Sequence, residues 1–518
     1  MSVGRRLALV WAFCLVRLVF YAAALPLWEG YDEWGHFAVI RAVALEGRAL
    51  PDRQAPIQRD VQASLELAPV PWSLNNMPAP SVTQDVFWSL PAPVRAERER
   101  ALRKVSSGWM RLNATDGLMQ YEGQQPPLYY WLMAPFVYLA RGLGLSAQVM
   151  LVRFVSVLLA SLAVPLVFLI GRAVLHDENL ALGCAALVAA MPGFALDVAR
   201  VGNECLGVVL FSALLLWGLK GPADRTRWAI GMGVILGAGL LTKAYFLTAP
   251  VALMIFFRRR SIPAVVVGGV IGGWWYLRNM LTGTFSGLND SNTVQRISGG
   301  EMLHRALGIP WLKATDTILF SHLYFGGWSS LSVRSWMYHV FYAVIFMGAA
   351  GAIWLWREKH IAWIGLVYGL FWLGLFYFAL LLYVAHQGGG SPGWYMYAVV
   401  GAEVTLCSAG LYRILPRLTH QWVLPAGASL FAVLDLYTMN ALAIPYYTGM
   451  IRHRADGTLA ALHVADFQSV GFHQAFLRLG AFKPEALSEP VLVALWLSYL
   501  LATGGLVAMA TAYRRGSH

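Results

Sequence analysis

The sequence has little charge for its length. Only 13% of its 518 residues are charged and 58% are hydrophobic, whereas an average soluble domain has about 25% charged residues. A soluble protein of this composition could not cover its surface with polar side chains. The composition therefore excludes a soluble enzyme and predicts one polytopic membrane domain with a few folded loops.

Cysteine is also scarce, and internal repeats are missing. The four cysteines lie in apolar stretches, and none shows the CxxC or CxH spacing of zinc sites. This pattern excludes a disulfide framework and a zinc site, and it favours cysteine as a small packing residue. The sequence has no 20–50-residue repeat, which excludes solenoids and propellers.

Acidic residues are outnumbered, with 27 Asp and Glu against 39 Lys and Arg and a net charge of +12. In a membrane protein such an excess indicates basic cytoplasmic loops rather than a nucleic-acid partner. If the N-terminus is cytoplasmic, nearly all of the excess falls at the predicted inner helix ends. We therefore predict both termini inside.

Apolar runs of about 20 residues, the length that spans a bilayer, recur along the chain. The run 228–257 is too long for one helix and has Lys243 at its centre, so we divide it there. The N-terminal run continues past Arg17 and is predicted to be an uncleaved first helix rather than a signal peptide. The predicted spans are 7–27, 149–171, 180–197, 203–219, 228–242, 244–257, 262–281, 337–356, 361–384, 394–412, 421–442 and 491–511.

The apolar segment 126–141 is short, and charge decides its interpretation. If it crossed the membrane, the basic run Arg258–Arg260 would face outward, so we predict an interfacial or re-entrant helix. The prediction is an all-α polytopic membrane protein with about 12 transmembrane helices, or 13 if this segment also crosses. Outer loops are expected at 28–148, 282–336 and 443–490, and a charged amphipathic helix at 94–107.

Polar residues that could carry chemistry gather in the predicted outer segments. Asp32 and Glu33 follow helix 1 beside aromatic residues, where they suit an acid, a base or a metal ligand, or simply cap a helix. Glu122 precedes the pair Pro126-Pro127, which suits the first turn of a helix. Asp197, Asn203 and Glu204 fall in a short turn. Charges at membrane depth are costly and commonly functional, although a structural Asp197–Arg200 pair would also explain the turn.

Basic residues near the same face suggest a phosphate site. Lys243 lies between two short helices, where an ammonium group needs an anion, or else extends to the surface. Arg278 ends the run Trp274–Asn279 and either binds phosphate as a bidentate donor or anchors the helix end. His386 and Tyr395 flank a glycine-rich loop. His386 is a phosphate ligand or a structural histidine.

With these residues in place, the chain resembles the GT-C superfamily of membrane glycosyltransferases. Within it, the chain is most similar to the branch of lipid A aminoarabinose transferases and protein O-mannosyltransferases. The resemblance covers about residues 25–285 and rests on the order of several short motifs. These are Asp32-Glu33, Gly47–Pro51, Glu122 before Pro126–Tyr130, Arg153, the acidic turn 197–204, Leu241–Lys243 and the run ending at Asn279.

This resemblance implies catalysis by Asp32, with Glu33 as its neighbour, and a second acidic position at Asp197 or Glu204. Asn203-Glu204 stands where many relatives have Asn-Asp or Asp-x-Asp-like patterns, so we expect no required cofactor. A divalent cation at Asp32 and Glu204 is the alternative. Relatives commonly have Gly-Arg-Tyr where this chain has Gly393-Trp394-Tyr395, so one phosphate-binding arginine is missing.

The expected function is inverting transfer of a sugar from a polyprenyl-phosphate donor to an acceptor hydroxyl on the outer face of a bacterial inner membrane. Residues 1–285 are the predicted GT-C-like catalytic module, and 286–518 the C-terminal transmembrane region. Lys243, Arg278 and His386 would bind the donor phosphate. Substrate positioning is expected from Glu122, Asp197, Asn203, Glu204 and Tyr395. The acceptor, whether lipid, glycan or protein, is not specified.

Two alternatives carry different predictions. A transporter or flippase for lipid or sugar would move its substrate without bond cleavage, and such proteins commonly show inverted repeats, which this sequence lacks. A structural subunit would bind a partner through residues 28–125.

Overall fold

The computed structural model describes residues 1–77, 80–105, 117–222, 224–281, 297–385 and 388–512. The chain is mostly α-helical, which confirms the predicted fold class. The α-helices are α1 (Val3–Ala24), α2 (Glu33–Glu46), α3 (Arg59–Leu67), α4 (Gln84–Phe87), α5 (Ala92–Lys104), α6 (Leu128–Leu139), α7 (Leu145–Ser161), α8 (Ala163–Leu175), α9 (Glu178–Ala190), α10 (Pro192–Val198), α11 (Glu204–Lys220), α12 (Arg225–Leu240), α13 (Thr248–Phe257), α14 (Ile262–Gly268), α15 (Trp274–Leu281), α16 (Gly299–Gly308), α17 (Trp311–Leu323), α18 (Ser335–Ile353), α19 (Lys359–Val384), α20 (Val400–Ile414), α21 (His420–Tyr437), α22 (Ile444–Tyr447), α23 (Val464–Val470), α24 (Phe472–Leu479) and α25 (Glu489–Ala512).

Shorter elements connect and interrupt these helices. Two-residue strands, Pro69–Val70 and Val82–Thr83, pair in parallel within the first predicted outer loop. The 3₁₀ turns are Trp72–Leu74, Tyr121–Gln124, Ala244–Leu247, Arg258–Ser261, Gly327–Ser329, Gly393–Val399, Arg417–Thr419 and Glu485–Leu487, and the π-turns are Gly269–Gly273 and Thr438–Ala443.

Six helical stretches among the described residues are long and apolar enough to cross a membrane. The pair α9–α10 bends by 63° and makes a seventh if it forms one span. Pro192 is the cause of the break, because it begins α10 without a backbone N–H to continue the hydrogen bonds of α9. The chain is therefore an integral membrane protein, while the count of twelve crossings stays a prediction.

The predicted division of 228–257 is confirmed. Helix α12 ends at Leu240, Lys243 has extended backbone with φ −159°, and α13 begins at Thr248. The short segment 126–141 forms the 12-residue apolar helix α6, and the predicted charged helix at 94–107 is α5, which has no buried residue.

Helices from the two ends of the chain pack together around one buried ion pair. Arg17 Nη2 of α1 lies 2.7 Å from Asp435 Oδ1 of α21, and both side chains are fully buried. Tyr21 donates to Asp435 at 2.6 Å, and the ring of Phe20 stacks on that of Tyr499 of α25 at 4.9 Å. The pair satisfies both charges inside the bundle, where either one alone would be costly.

Candidate active site

Asp32 lies where the chain turns from α1 into α2. Its φ of +56° is in the left-handed region, which costs a non-glycine residue about 1–2 kcal/mol and occurs commonly at functional sites. The residue is half-buried. The hydroxyl of Tyr121 donates to Asp32 Oδ1.

The ionisation of Asp32 is set by opposing effects. Burial raises the pKa of the carboxyl above its usual value, while the hydrogen bond from Tyr121 and the charges of Arg200 and Lys243 lower the pKa. A carboxylate with a raised pKa is a stronger base than one in water. Asp32 thus combines partial exposure with the properties of a general base.

Both carboxylate oxygens of Glu33, the adjacent residue, accept hydrogen bonds from neighbouring groups. Arg153 donates to it in bidentate fashion, from Nε to Oε1 at 2.7 Å and from Nη2 to Oε2 at 2.6 Å. The backbone N–H of Val201 adds a third hydrogen bond at 2.9 Å. Because Glu33 is fully buried, this geometry favours a structural role, joining α2, α7 and the turn after α10.

Glu122 lies in the 3₁₀ turn before α6, next to Tyr121. Its Oε2 is 3.6 Å from His36 Nδ1, which is also 2.9 Å from the hydroxyl of Tyr130. Burial and the charge of Asp32 raise the pKa of Glu122 to about 8, and burial lowers the pKa of His36 well below its usual range. Both groups are therefore mostly neutral near pH 7.

Arg200 organises the acidic turn between α10 and α11. Its Nη2 lies 3.0 Å from Asp197 Oδ1 and 2.8 Å from Glu204 Oε2, and its Nη1 donates to the carbonyl of Tyr31 at 2.7 Å. A Cβ on Gly30 would stand 2.5 Å from the Arg200 side chain, so glycine is required there. The Asp197–Arg200 pair left open by the sequence is present.

Lys243 joins that turn to the junction between α12 and α13. Its ammonium donates to Asn203 Oδ1 at 3.0 Å and pairs with Glu204 Oε1. The ring of Tyr395 lies under the same group, 4.6 Å from Nζ to the ring centroid. Burial lowers the pKa of Lys243 to about 8.

The start of α6 hydrogen-bonds both to the acidic turn and to the junction that carries Lys243. The N–H of Leu128 donates to the carbonyl of Leu241 at 2.9 Å, and the N–H of Gly202 donates to the hydroxyl of Tyr129 at 3.1 Å. The Pro-Pro-aromatic motif therefore connects the acidic turn with the Lys243 junction. The charges of one cluster therefore act on one another, and its members are Asp32, Glu122, Asp197, Glu204 and Lys243.

For two predicted phosphate ligands, Arg278 and His386, a role at this cluster stays a prediction. The guanidinium of Arg278 lies over the ring of Trp275, 4.9 Å from its centroid, and its role at the site stays a prediction. His386 lies outside the described residues.

The sequence assigned no catalytic or binding role to some residues of the cluster. Tyr121 follows no recognisable pattern. The sequence signal for Arg200 was its position beside acidic residues in a short turn, because a turn between two membrane helices does not need charged residues.

The donor set does not fit a divalent cation at Asp32 and Glu204. Glu204 already faces the ammonium of Lys243 and the guanidinium of Arg200, and a metal ion would have to displace both cations. Among the described residues, no three His, Cys, Asp or Glu side chains form a group suited to a metal.

A family of proteins and several solved structures are similar to this chain. The family of dolichyl-phosphate-mannose-protein mannosyltransferases matches residues 124–264, which include Glu204 and Lys243. No curated protein matches the chain. The structure of ArnT from Cupriavidus metallidurans bound to undecaprenyl phosphate superposes with a TM-score of 0.50 at 15% identity, covering 99% of this chain and 77% of that one.

Other structures superpose less well. The apo state of the same ArnT gives a TM-score of 0.48 at 15% identity, with the same coverage. An oligosaccharyltransferase from Archaeoglobus fulgidus gives 0.35 at 17% identity and covers 61% of this chain and 43% of that one. At these identities the likeness to ArnT shows the fold alone. The chain has the fold of the GT-C superfamily and resembles its branch of ArnT and protein mannosyltransferases.

Proposed function

We propose that this protein is an inverting glycosyltransferase that moves a sugar from a polyprenyl-phosphate donor to an acceptor hydroxyl. The observation that carries the proposal is the pairing of a strained, half-buried carboxylate, Asp32, with a buried ammonium group, Lys243, in one electrostatic cluster. The first is a base for the acceptor and the second a partner for the phosphate that leaves. We further propose that the site faces the outer side of the bacterial inner membrane, with both termini inside.

One N–H donor of Lys243 has no hydrogen-bond acceptor among the described residues and would be available to a ligand. An ammonium group carries three N–H donors, and Asn203 and Glu204 are its two hydrogen-bond partners among the described residues. A donor phosphate would accept the third. The fixed position of the ammonium would stabilise the charge that develops on the phosphate as the sugar leaves, without reorganisation during the reaction.

Asp32 would accept the proton of the attacking hydroxyl. The acceptor oxygen forms a bond to the anomeric carbon, the bond from that carbon to the phosphate oxygen breaks, and the proton passes to the carboxylate. Tyr121 fixes the orientation of Asp32. A single displacement inverts the anomeric centre and forms no covalent intermediate with the protein.

Glu122 is proposed to position substrate rather than to exchange protons with it. A carboxyl group that is neutral near pH 7 presents both a donor and an acceptor, which suits a sugar hydroxyl. Arg278 and His386 are proposed as further ligands of the donor phosphate. Asp197, Asn203, Glu204 and Tyr395 are proposed as further positioning groups. No cofactor is required in this scheme.

The bent pair α9–α10 is the observation that favours the alternative, since broken helices are also typical of transporters. Purified protein in vesicles with a polyprenyl-phosphate sugar labelled in the sugar separates the two functions. The proposal predicts that the bond between sugar and phosphate is cleaved, by transfer or by slow hydrolysis. Translocation of intact donor without cleavage would establish the transporter and refute the transferase.

A further inference from the structure

An apolar cavity of about 270 Å³ lies among the helices α9, α17, α18, α20 and α21. Its volume is close to the lower end of pockets that hold small ligands, about 300 to 1,000 Å³. Asp32, Glu122, Glu204 and Lys243 do not line it, so it is separate from the candidate active site. Its wall is mostly apolar and includes Leu187, Phe341, Val404, Leu411, Leu424 and Phe431.

The cavity opens toward the bilayer. Met347 of α18 and Ala426 of α21 line it and are both exposed. The two helices belong to stretches that are long and apolar enough to cross a membrane. An opening between two such helices faces hydrocarbon, so the molecules with direct access to the cavity are lipids.

Two ionisable side chains face each other in the wall of this cavity. His322 of α17 and Glu403 of α20 are only 4% and 5% exposed. His322 Nε2 lies 2.9 Å from both carboxyl oxygens of Glu403 and hydrogen-bonds to Oε1. His322 Nδ1 and Glu403 Oε2 are buried and have no hydrogen-bond partner among the described residues. Because burying a polar atom without a partner is costly, these two atoms point to a ligand.

The pair offers that ligand one donor and one acceptor. An uncompensated charge is costly at membrane depth, so the pair is favoured in its net-neutral forms, imidazolium with carboxylate or imidazole with carboxylic acid. In both forms one proton lies between His322 Nε2 and Glu403 Oε1. Nδ1 then carries an N–H that can donate, and Oε2 can accept. A hydroxyl group both donates and accepts, so a single hydroxyl matches the two atoms.

The cavity and Lys243 lie on different sides of the 3₁₀ turn Gly393–Val399. The ring of Tyr395 has its centroid 4.6 Å from Lys243 Nζ, whereas the ring of Tyr397 lies 4.7 Å from that of His322. With three residues per turn, side chains two positions apart in a 3₁₀ helix point in different directions. A molecule in the cavity is therefore distinct from a phosphate bound at Lys243.

The polar end of the cavity lies beside the break between α9 and α10. Met191, at the break, lines the cavity, and a Cβ on Gly193 would stand 3.0 Å from the carbonyl oxygen of His322. Glu403 and Leu411 both line the cavity from α20. They are eight residues apart, which is about 12 Å along the helix axis. This length suits an extended apolar chain with its polar group at the break.

We propose that this cavity binds the hydrocarbon chain of a membrane lipid that bears a hydroxyl group, with the hydroxyl at His322 and Glu403 and the chain along α20. This second lipid is distinct from the polyprenyl-phosphate donor. Its binding goes beyond the proposed function and does not depend on it.

The test uses the full-length protein in detergent micelles with hexadecanol as the probe. A hexadecanol that carries a photoactivatable diazirine on its chain is crosslinked to the protein, and mass spectrometry locates the labelled residues. We expect labelling at residues that line the cavity, such as Leu411 and Phe431. Unlabelled hexadecanol should compete about 3- to 10-fold better than its methyl ether, which keeps the oxygen but cannot donate to Glu403.

Variants of the polar pair test the role of the hydroxyl. His322→Leu with Glu403→Leu removes both polar groups together, so that no buried charge is left alone. This double variant should still be labelled, and the alcohol and the ether should compete equally. Glu403→Gln keeps one donor and one acceptor beside His322, so it should retain the preference for the alcohol.

A glycine in the wall tests the cavity itself. Gly427 of α21 lines the cavity, and a Cβ there would stand 3.0 Å from the side chain of Leu187. Gly427→Leu should therefore fill the cavity and abolish the labelling. Gly504→Leu is the matched control, because Gly504 is exposed on α25 and a Cβ there would meet nothing within 4 Å. It should leave the labelling unchanged.

Two results with the wild-type protein would overturn the proposal without requiring any variant to fold. The first is labelling outside the cavity, or equal competition by the alcohol and the ether. The second is displacement of the probe by polyprenyl phosphate, which would assign the cavity to the tail of the donor.

Discussion

Lys243 Nζ lies 3.0 Å from Asn203 Oδ1, so one buried ammonium group connects the acidic turn between α10 and α11 with the junction between α12 and α13. The amide nitrogen of Asn203 also donates to the carbonyl of Thr242, the residue before Lys243, at 3.0 Å. The asparagine is thereby held by both neighbours, and it orients the lysine toward the site.

Replacing Lys243 should weaken the binding of lipid phosphate. Lys243→Met removes a charge-assisted hydrogen bond worth about 1.5–3 kcal/mol, so affinity for polyprenyl phosphate should fall about 10- to 100-fold. Fluorescence or calorimetric titration with polyprenyl phosphate measures this affinity. Lys220→Met, at the exposed far end of α11, is the control. The single change removes one of the two cations that face Glu204 and leaves Arg200. Lys243→Met with Glu204→Gln should therefore keep the fold and still bind weakly, and wild-type affinity in that double variant would refute the phosphate role.

The same binding should depend on pH in a defined direction. Burial lowers the pKa of Lys243 to about 8, so the ammonium loses its proton, and the phosphate its partner, as the pH rises through about 8. Affinity should therefore fall over that window. Lys243→Arg stays charged at all accessible pH values, and its affinity should be much less dependent on pH. A wild-type affinity that is flat between about pH 7 and about pH 9 would contradict this assignment.

Glu122 should make the fold sensitive to alkali. Burial raises its pKa to about 8 from a usual value of about 4.5, so the folded state favours the neutral carboxyl. Its contribution to stability is complete below about pH 4.5 and is lost as the pH rises through about 8. Thermal unfolding should show that the Tm of Glu122→Gln falls less than the Tm of wild type as the pH rises from about 4.5 to about 8. Parallel curves for the two proteins would show that Glu122 is not held neutral.

Breaking the pair between Arg153 and Glu33 should damage folding before it affects chemistry. Arg153→Met leaves a fully buried carboxylate without its partner, which costs about 3–5 kcal/mol. The exposed pair Arg305–Glu301 gives the control Arg305→Met, expected to cost about 0–1 kcal/mol. Adding Glu33→Gln to Arg153→Met should recover part of the loss. A folded Arg153→Met with normal Tm and no transfer would instead give Glu33 a direct part in catalysis.

Most of the fold could be predicted from hydropathy, because a spanning helix is a long apolar run whatever it packs against. The division at Lys243 could also be predicted, since a charge in the middle of such a run is costly. The π-turns at Gly269–Gly273 and Thr438–Ala443 could not. They add one residue to a helical turn without changing the apolar pattern.

The candidate site was only partly predictable for a related reason. Asp32 and Lys243 stand out because they are charges bordered by apolar sequence. Glu33 has the same sequence signal as Asp32, and only the position of Arg153, 120 residues along the chain, distinguishes their roles. Contacts such as the hydrogen bond from Tyr121 to Asp32 join distant segments of the chain, and the local sequence of neither segment predicts the contact.

The most direct test of the account is a single-turnover measurement with Asp32→Asn. Excess protein is mixed with a labelled polyprenyl-phosphate sugar, and bound donor and cleaved sugar are followed separately. Loss of a general base costs about 10²- to 10⁴-fold in rate, so the variant should bind donor as wild type does and cleave it that much more slowly. Cleavage at the wild-type rate by folded Asp32→Asn would contradict the central claim.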